Sequence, residues 1–187
     1  MLFKNKSSSA NQSGRSMIEM LGVLAIIGVL SAGGIAGYTM AMATFKTNKA
    51  MDMIQIVSAQ AKQIYNSDYT GISAANMFKL GYLSSEYIKP GTANTAAPVG
   101  WSPFGTEVTI AQSANDVGQG TFTISVPDVP KASCVKLVQS YWGDTTFFVK
   151  LKVGTTEAVN ASSPLTNANA AITACSADKQ TMTWEFK

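Results

Sequence analysis

Apolar and polar positions divide the chain into stretches of different rhythm. Residues 1–14 (MLFKNKSSSANQSG) are polar and serine-rich, with no apolar period, and predict no packed element. From Met20 to Phe45 come 26 consecutive residues without a charge. As a helix this run would extend about 39 Å, more than the roughly 30 Å of a bilayer's hydrocarbon core. Met20 to Leu30 is its apolar heart, followed by the lighter Ser31-Ala32-Gly33-Gly34-Ile35-Ala36-Gly37. Past Phe45 the pattern turns amphipathic with no turn signal between. Ile54, Val57, Ala61 and Ile64 follow at steps of three, four and three on one face, while Lys49, Asp52, Gln55 and Lys62 mostly take other faces. No proline precedes Pro90. One helix from about Ser16 to Asn66 is predicted, roughly 75 Å long. Globular helices usually end by about 20 residues, so this one reads as part membrane span and part coiled-coil-like packing helix.

Beyond it, residues 67–105 are irregular and punctuated by Gly71, Gly81, Pro90, Gly91, Pro98, Gly100, Pro103 and Gly105, with a short helix near Ala74 to Leu80. Alternation then predicts strands at Thr106–Ala111 (Val108, Ile110), Thr121–Val126 (Phe122, Ile124, Val126) and Thr145–Val153. In the last of these, Phe147, Val149, Leu151 and Val153 face one way, and Lys150 and Lys152 form a solvated opposite face. A closing strand, Gln180–Lys187, aligns Met182, Trp184 and Phe186. Lys131–Tyr141 reads as a helix with Cys134, Leu137, Val138 and Tyr141 on one face, and Asn167–Cys175 as a small alanine-rich helix after a loop containing Gly154 and Pro164. Short strands with one apolar face predict an antiparallel sheet, with the amphipathic half of the long helix packed on it.

Composition narrows the chemistry. Only 13% of the 187 residues are charged, about half the usual share of a soluble domain. Net charge is +3, and without Lys4 and Lys6 twelve basic residues face eleven acidic ones. That balance gives no electrostatic basis for nucleic-acid binding. There is no histidine, so the commonest general base and metal ligand are both missing. No nucleophile–base set and no cofactor or metal motif is visible. Cys134 and Cys175 fit no zinc spacing; an even pair in an exported chain reads as a disulfide, two free buried thiols being the alternative. Trp101, Tyr141, Trp142 and Trp184 read as core or interface aromatics ahead of a ligand platform.

At the head of the apolar run stands Gly14-Arg15-Ser16-Met17-Ile18-Glu19. A carboxylate on a membrane helix costs about 2.5–3.5 kcal/mol at mid-span, and such a charge usually has a partner unless it sits at the water interface. A glycine, then a glutamate five positions on, then an apolar helix resembles the class III signal of type IV pilins. The resemblance implies cleavage between Gly14 and Arg15 by a prepilin peptidase and methylation of the new amine. It also implies a role for Glu19 in neutralising a neighbouring subunit's N-terminal amine within the fibre. The family usually has an apolar first residue where this chain has Arg15. Tyr69-Thr70-Gly71-Ile72-Ser73, Trp101-Ser102-Pro103-Phe104-Gly105 and Val129-Pro130 ahead of Cys134 are similar to the type IVb subclass. There a disulfide brackets a C-terminal surface region, matching Cys134 and Cys175.

The expectation is an α+β type IV pilin fold: a leader at 1–14, a transmembrane and fibre-core half of the helix at 15–45, and a globular head at 46–187. The implied function is a non-enzymatic structural subunit, held in the inner membrane as a precursor and then polymerised with itself into an extracellular pilus by membrane assembly machinery. Alternatives are a minor pilin, a secretion pseudopilin, an adhesive or DNA-capturing tip subunit and, from another class, an anchored periplasmic enzyme. A secretory signal peptide is also weighed, since Ala41-Met42-Ala43 mimics a cleavage site, but the apolar run exceeds the usual 7–15 residues. The glycines at 28, 33, 34 and 37 mark close helix packing or, alternatively, a place that unwinds on assembly.

Overall fold

A computed structural model of the chain describes residues 12–113, 120–162 and 167–187, with side chains from Met17 onward. The chain divides into two compact units, Met1–Met42 and Ala43–Lys187. Helix α1 runs unbroken from Gln12 to Tyr65. It starts before the expected Ser16. A glycine such as Gly14 costs only about 1 kcal/mol in a helix, too little to stop one already nucleated by a long run behind it. The helix ends where Asn66 and Ser67 take left-handed backbone (φ 43° and 79°), with Asn66 N–H donating to the Lys62 carbonyl at 3.1 Å. Asparagine tolerates that conformation better than most residues. The expected leader lies mostly in residues 1–11, outside the described residues.

In the second unit α1 buries Ala50, Met53, Ile54, Val57 and Ala61. They share one core with apolar residues from the strands. The sheet has six strands, β1 (Gly100–Trp101), β2 (Glu107–Gln112), β3 (Phe122–Pro130), β4 (Phe148–Val153), β5 (Thr156–Asn160) and β6 (Lys179–Phe186), in the order β1-β2-β3-β6-β4-β5. Every pairing is antiparallel. Val108, Ile110, Phe122, Ile124, Val126, Leu151, Val153, Met182, Trp184 and Phe186 are all buried, as alternation requires. The other helices are α2 (Ala74–Lys79), α3 (Lys131–Val138) and α4 (Ala168–Ala174), with a short 3-10 turn at Ser85–Tyr87.

Four expectations need correction. β4 starts at Phe148 because Asp144 builds a turn first: its Oδ1 accepts from Thr146 N–H at 3.0 Å and its carbonyl from Phe148 N–H at 2.8 Å. A register shift between Phe148 and Lys150 then lets Phe148 and Leu151 share the core side, leaving Phe147 and Val149 only half-buried. α3 stops at Val138, short of Tyr141, which is 77% exposed. The indole Nε1 of Trp142 takes the Leu137 carbonyl at 2.9 Å, satisfying a helix-end acceptor that another turn would have needed. β5 occupies part of the segment read as loop, paired with β4 across Gly154 (φ 61°) and Thr155. Finally, Lys150 is not a freely solvated side chain: its Nζ lies 3.3 Å from a Glu185 carboxylate that is almost fully buried.

Candidate functional site

Two regions carry the residues singled out by sequence. The first is the uncharged part of α1. Between Met17 and Met40 every large apolar side chain is more than half exposed, from 53% at Ile27 to 74% at Val29. No face is selectively covered, so all faces of this segment present apolar atoms. A run this long and apolar is sufficient to cross a bilayer. The helix is unbroken through Gly28, Gly33, Gly34 and Gly37, and an added Cβ at any of the four would meet no atom within 4 Å in the single chain. Any close approach these glycines serve is therefore to another molecule. Glu19 stands at the start of the run, exposed to the surroundings. Gly14 and Arg15 lie within the first turn of α1, and the Arg15 side chain lies outside the described residues.

The second region is the C-terminal half of the head. Cys134 of α3 and Cys175, at the end of α4, are joined by a disulfide with Cα atoms 5.9 Å apart, both side chains fully buried. Closing a loop of 41 residues' separation stabilises the fold by roughly 4 kcal/mol through the unfolded chain's lost entropy. The bond pins α4, which also packs against α3 and β5 and buries Ala171, while Asn167 caps its start by accepting from Asn169 N–H at 2.9 Å. Trp142 and Trp184 pack edge to face at 5.3 Å between ring centres in the core. Trp101 is half-buried beneath Lys89, whose Nζ is 5.4 Å from the ring centre. The aromatic quartet is thus not a single platform.

An open cleft of about 290 Å³ lies beside Tyr141, Asp144 and Asn160. Its polar rim is engaged in local turns: Asp144 accepts from Thr146, and Asn160 donates to Glu157 at 2.9 Å while accepting from Ser162 N–H at 3.1 Å. Convergent free polar groups of the kind a catalytic pocket needs are absent among these residues. Charge-assisted hydrogen bonding from Lys49 holds the Glu86 carboxyl below its ordinary range. Hydrogen bonds from Thr70 and Thr146 do the same for Asp68 and Asp144. Burial raises the phenols of Tyr65, Tyr69 and Tyr87.

The sequence model of a family described as PilS N terminal matches residues 44–186. The chain belongs to that pilin family. The match coincides with the second unit and its sheet. Toxin coregulated pilin of Vibrio cholerae serotype O1 is 29% identical over 174 residues, covering 84% of this chain and 73% of that protein. The crystal structure of the type IVb pilin from Salmonella typhi superposes with a TM-score of 0.52 at 18% identity, over 75% of this chain and 97% of that one. The fold is therefore the type IV pilin fold: long N-terminal helix, antiparallel sheet and C-terminal disulfide. The chain is a homologue of pilin subunits, which are structural proteins.

Glu185 escaped sequence reasoning. Its Oε1 accepts from Ser113 Oγ at 2.7 Å and Thr121 Oγ1 at 3.4 Å, tying both residues to the central strand β6. Its one signal was a lone acid between Trp184 and Phe186 on a strand whose neighbour carries a lysine.

Proposed function

We propose that this chain is the repeating subunit of a type IV pilus, anchored in the inner membrane by residues 15–45 before it polymerises. A prepilin peptidase removes residues 1–14 after Gly14 and the amine of Arg15 is methylated. The observation that carries this reading is the all-round apolar exposure of α1 from Met17 to Met40 on a chain whose remainder is a pilin head. A helix apolar on every face belongs in lipid or among other apolar helices. Those two surroundings are nearly equivalent solvents, so the inner-membrane assembly machinery can move the helix from one to the other without a large desolvation cost.

Glu19 sets register in this scheme. A carboxylate taken out of water needs a counter-charge, and the Arg15 amine of the adjoining subunit supplies one. A subunit out of step leaves both charges unmatched. Mass spectrometry of the N-terminus in purified fibres tests the processing step. Arg15 as first residue supports it, and Met1 or Thr44 in that place defeats it. Glu19→Leu is expected to abolish filaments when expressed alone, scored by electron microscopy of sheared material. Normal filaments from that variant would remove Glu19 from assembly.

A further inference from the structure

Four lysines gather at one end of the head. Lys131 opens α3 and Lys179 opens β6. The register pair Pro130–Lys179 and the hydrogen bond from Lys131 N–H to the Asp178 carbonyl, 3.0 Å, bring them together. α3 lies alongside the first head residues of α1. Thr47 Oγ1 donates to Ser133 Oγ at 2.8 Å, Lys136 Nζ donates to Asn48 Oδ1 at 3.0 Å, and Ser140 Oγ reaches Met51 Sδ at 3.6 Å. Residue numbers climb together along both helices, so they run in the same direction here. Lys131, just before Ser133, therefore falls level with Lys46, just before Thr47.

Asp128 and Asp178 adjoin Lys131 and Lys179 in the chain, and Glu86 pairs with Lys49 one turn past Lys46, so Lys46, Lys49, Lys131, Lys136 and Lys179 against three acids leave a local charge of +2. Residues 43–187 hold eleven lysines and ten acids, so the rest of the head is net negative by one. Lys49, Lys89 and Lys150 each have a carboxylate partner. Among the described residues no ion pair involves Lys46, Lys131 or Lys179, and all three are exposed. Lys46 is also the first charge after the 26-residue uncharged run.

We infer that this lysine-rich end is a docking surface for anionic phospholipid headgroups, which holds the head against the membrane before assembly. The inference rests on the anchoring reading above. A span that ends near Phe45 brings Lys46 to the headgroup layer, and the fold then places Lys131 and Lys179 at the same level. Lysines within a Debye length of a negative leaflet are attracted to it. An ammonium on a long stem can follow headgroups that shift laterally. Release is built in: once the span leaves the bilayer, the same surface loses its partner.

Lysine acetylation kinetics of the full chain, reconstituted into phosphatidylcholine vesicles with or without phosphatidylglycerol, test this. Mass spectrometry should show Lys46, Lys131 and Lys179 reacting about threefold or more slowly in the anionic vesicles at low salt. That difference should vanish at high salt, with Lys79 and Lys187 unchanged throughout. Equal rates in neutral and anionic vesicles, with the protein still floating alongside lipid, overturn the docking surface and leave the anchor standing. Protection that follows protein density at fixed lipid charge assigns the surface to a second copy and also overturns it. Failure to float with either vesicle overturns the anchor and this inference together.

Discussion

Lys150 and Glu185 face each other across β4 and β6 with the carboxylate nearly water-free, so removing the lysine alone strands a buried charge. Lys150→Met is expected to destabilise the head by about 1–3 kcal/mol, below the usual cost for a fully buried pair because the lysine is partly exposed. Urea denaturation followed by tryptophan fluorescence measures it, and the double variant Lys150→Met, Glu185→Leu should recover part of the loss. Gly120 illustrates a different residue-scale constraint. Its φ is 53°, and an added Cβ would collide with the Ser67 carbonyl just past α1. Neither feature is written in local pattern. Lys150 sits in an alternating run where every second residue looks solvated, and only the register of a strand 35 residues later reveals its partner. The disulfide was legible, because an even cysteine pair on an exported chain has few other uses.

At the scale of elements, α1 was readable over nearly its whole length, since periodicity and the lack of proline act along the chain. The face it buries was read in outline; Ala50 and Met53 join Ile54, Val57 and Ala61 there. Ile54→Ala should cost about 2–5 kcal/mol, the range for emptying a fully buried site of this size, seen as a lower urea midpoint with unchanged slope. Where reading failed, a turn or capping hydrogen bond had overruled strand or helix preference. Thr145 to Phe147 are strong strand formers, yet Asp144 captures them in a turn. Tyr141 continues the helical period of α3, yet Trp142 reaches back to the Leu137 carbonyl and closes the helix. β5 could have been found, because Gly154 at the first position of a two-residue connection between alternating runs is a hairpin signal.

For the whole head, titration bounds the pH range of stability. Glu86, Asp68 and Asp144 have lowered pKa values. Their contribution is present above the unfolded carboxylate values near 4 and lost as pH falls through the folded ones. Tyr65, Tyr69 and Tyr87 are raised, so their neutral forms support the fold below about pH 10 and that support goes as pH climbs further. Thermal melts should show a plateau from about pH 5 to 9, with melting temperature falling on both sides. A melting temperature still rising above pH 10 would contradict the assignment of the buried phenols.

The strand order has one more effect. β6 lies between β3 and β4 and supplies Met182, Trp184 and Phe186 to the interior. No other strand pairs β1-β2-β3 with β4-β5 among the described residues. Without β6 the interior of the head therefore stays open, and the fold locks only when this strand docks between the two halves of the sheet.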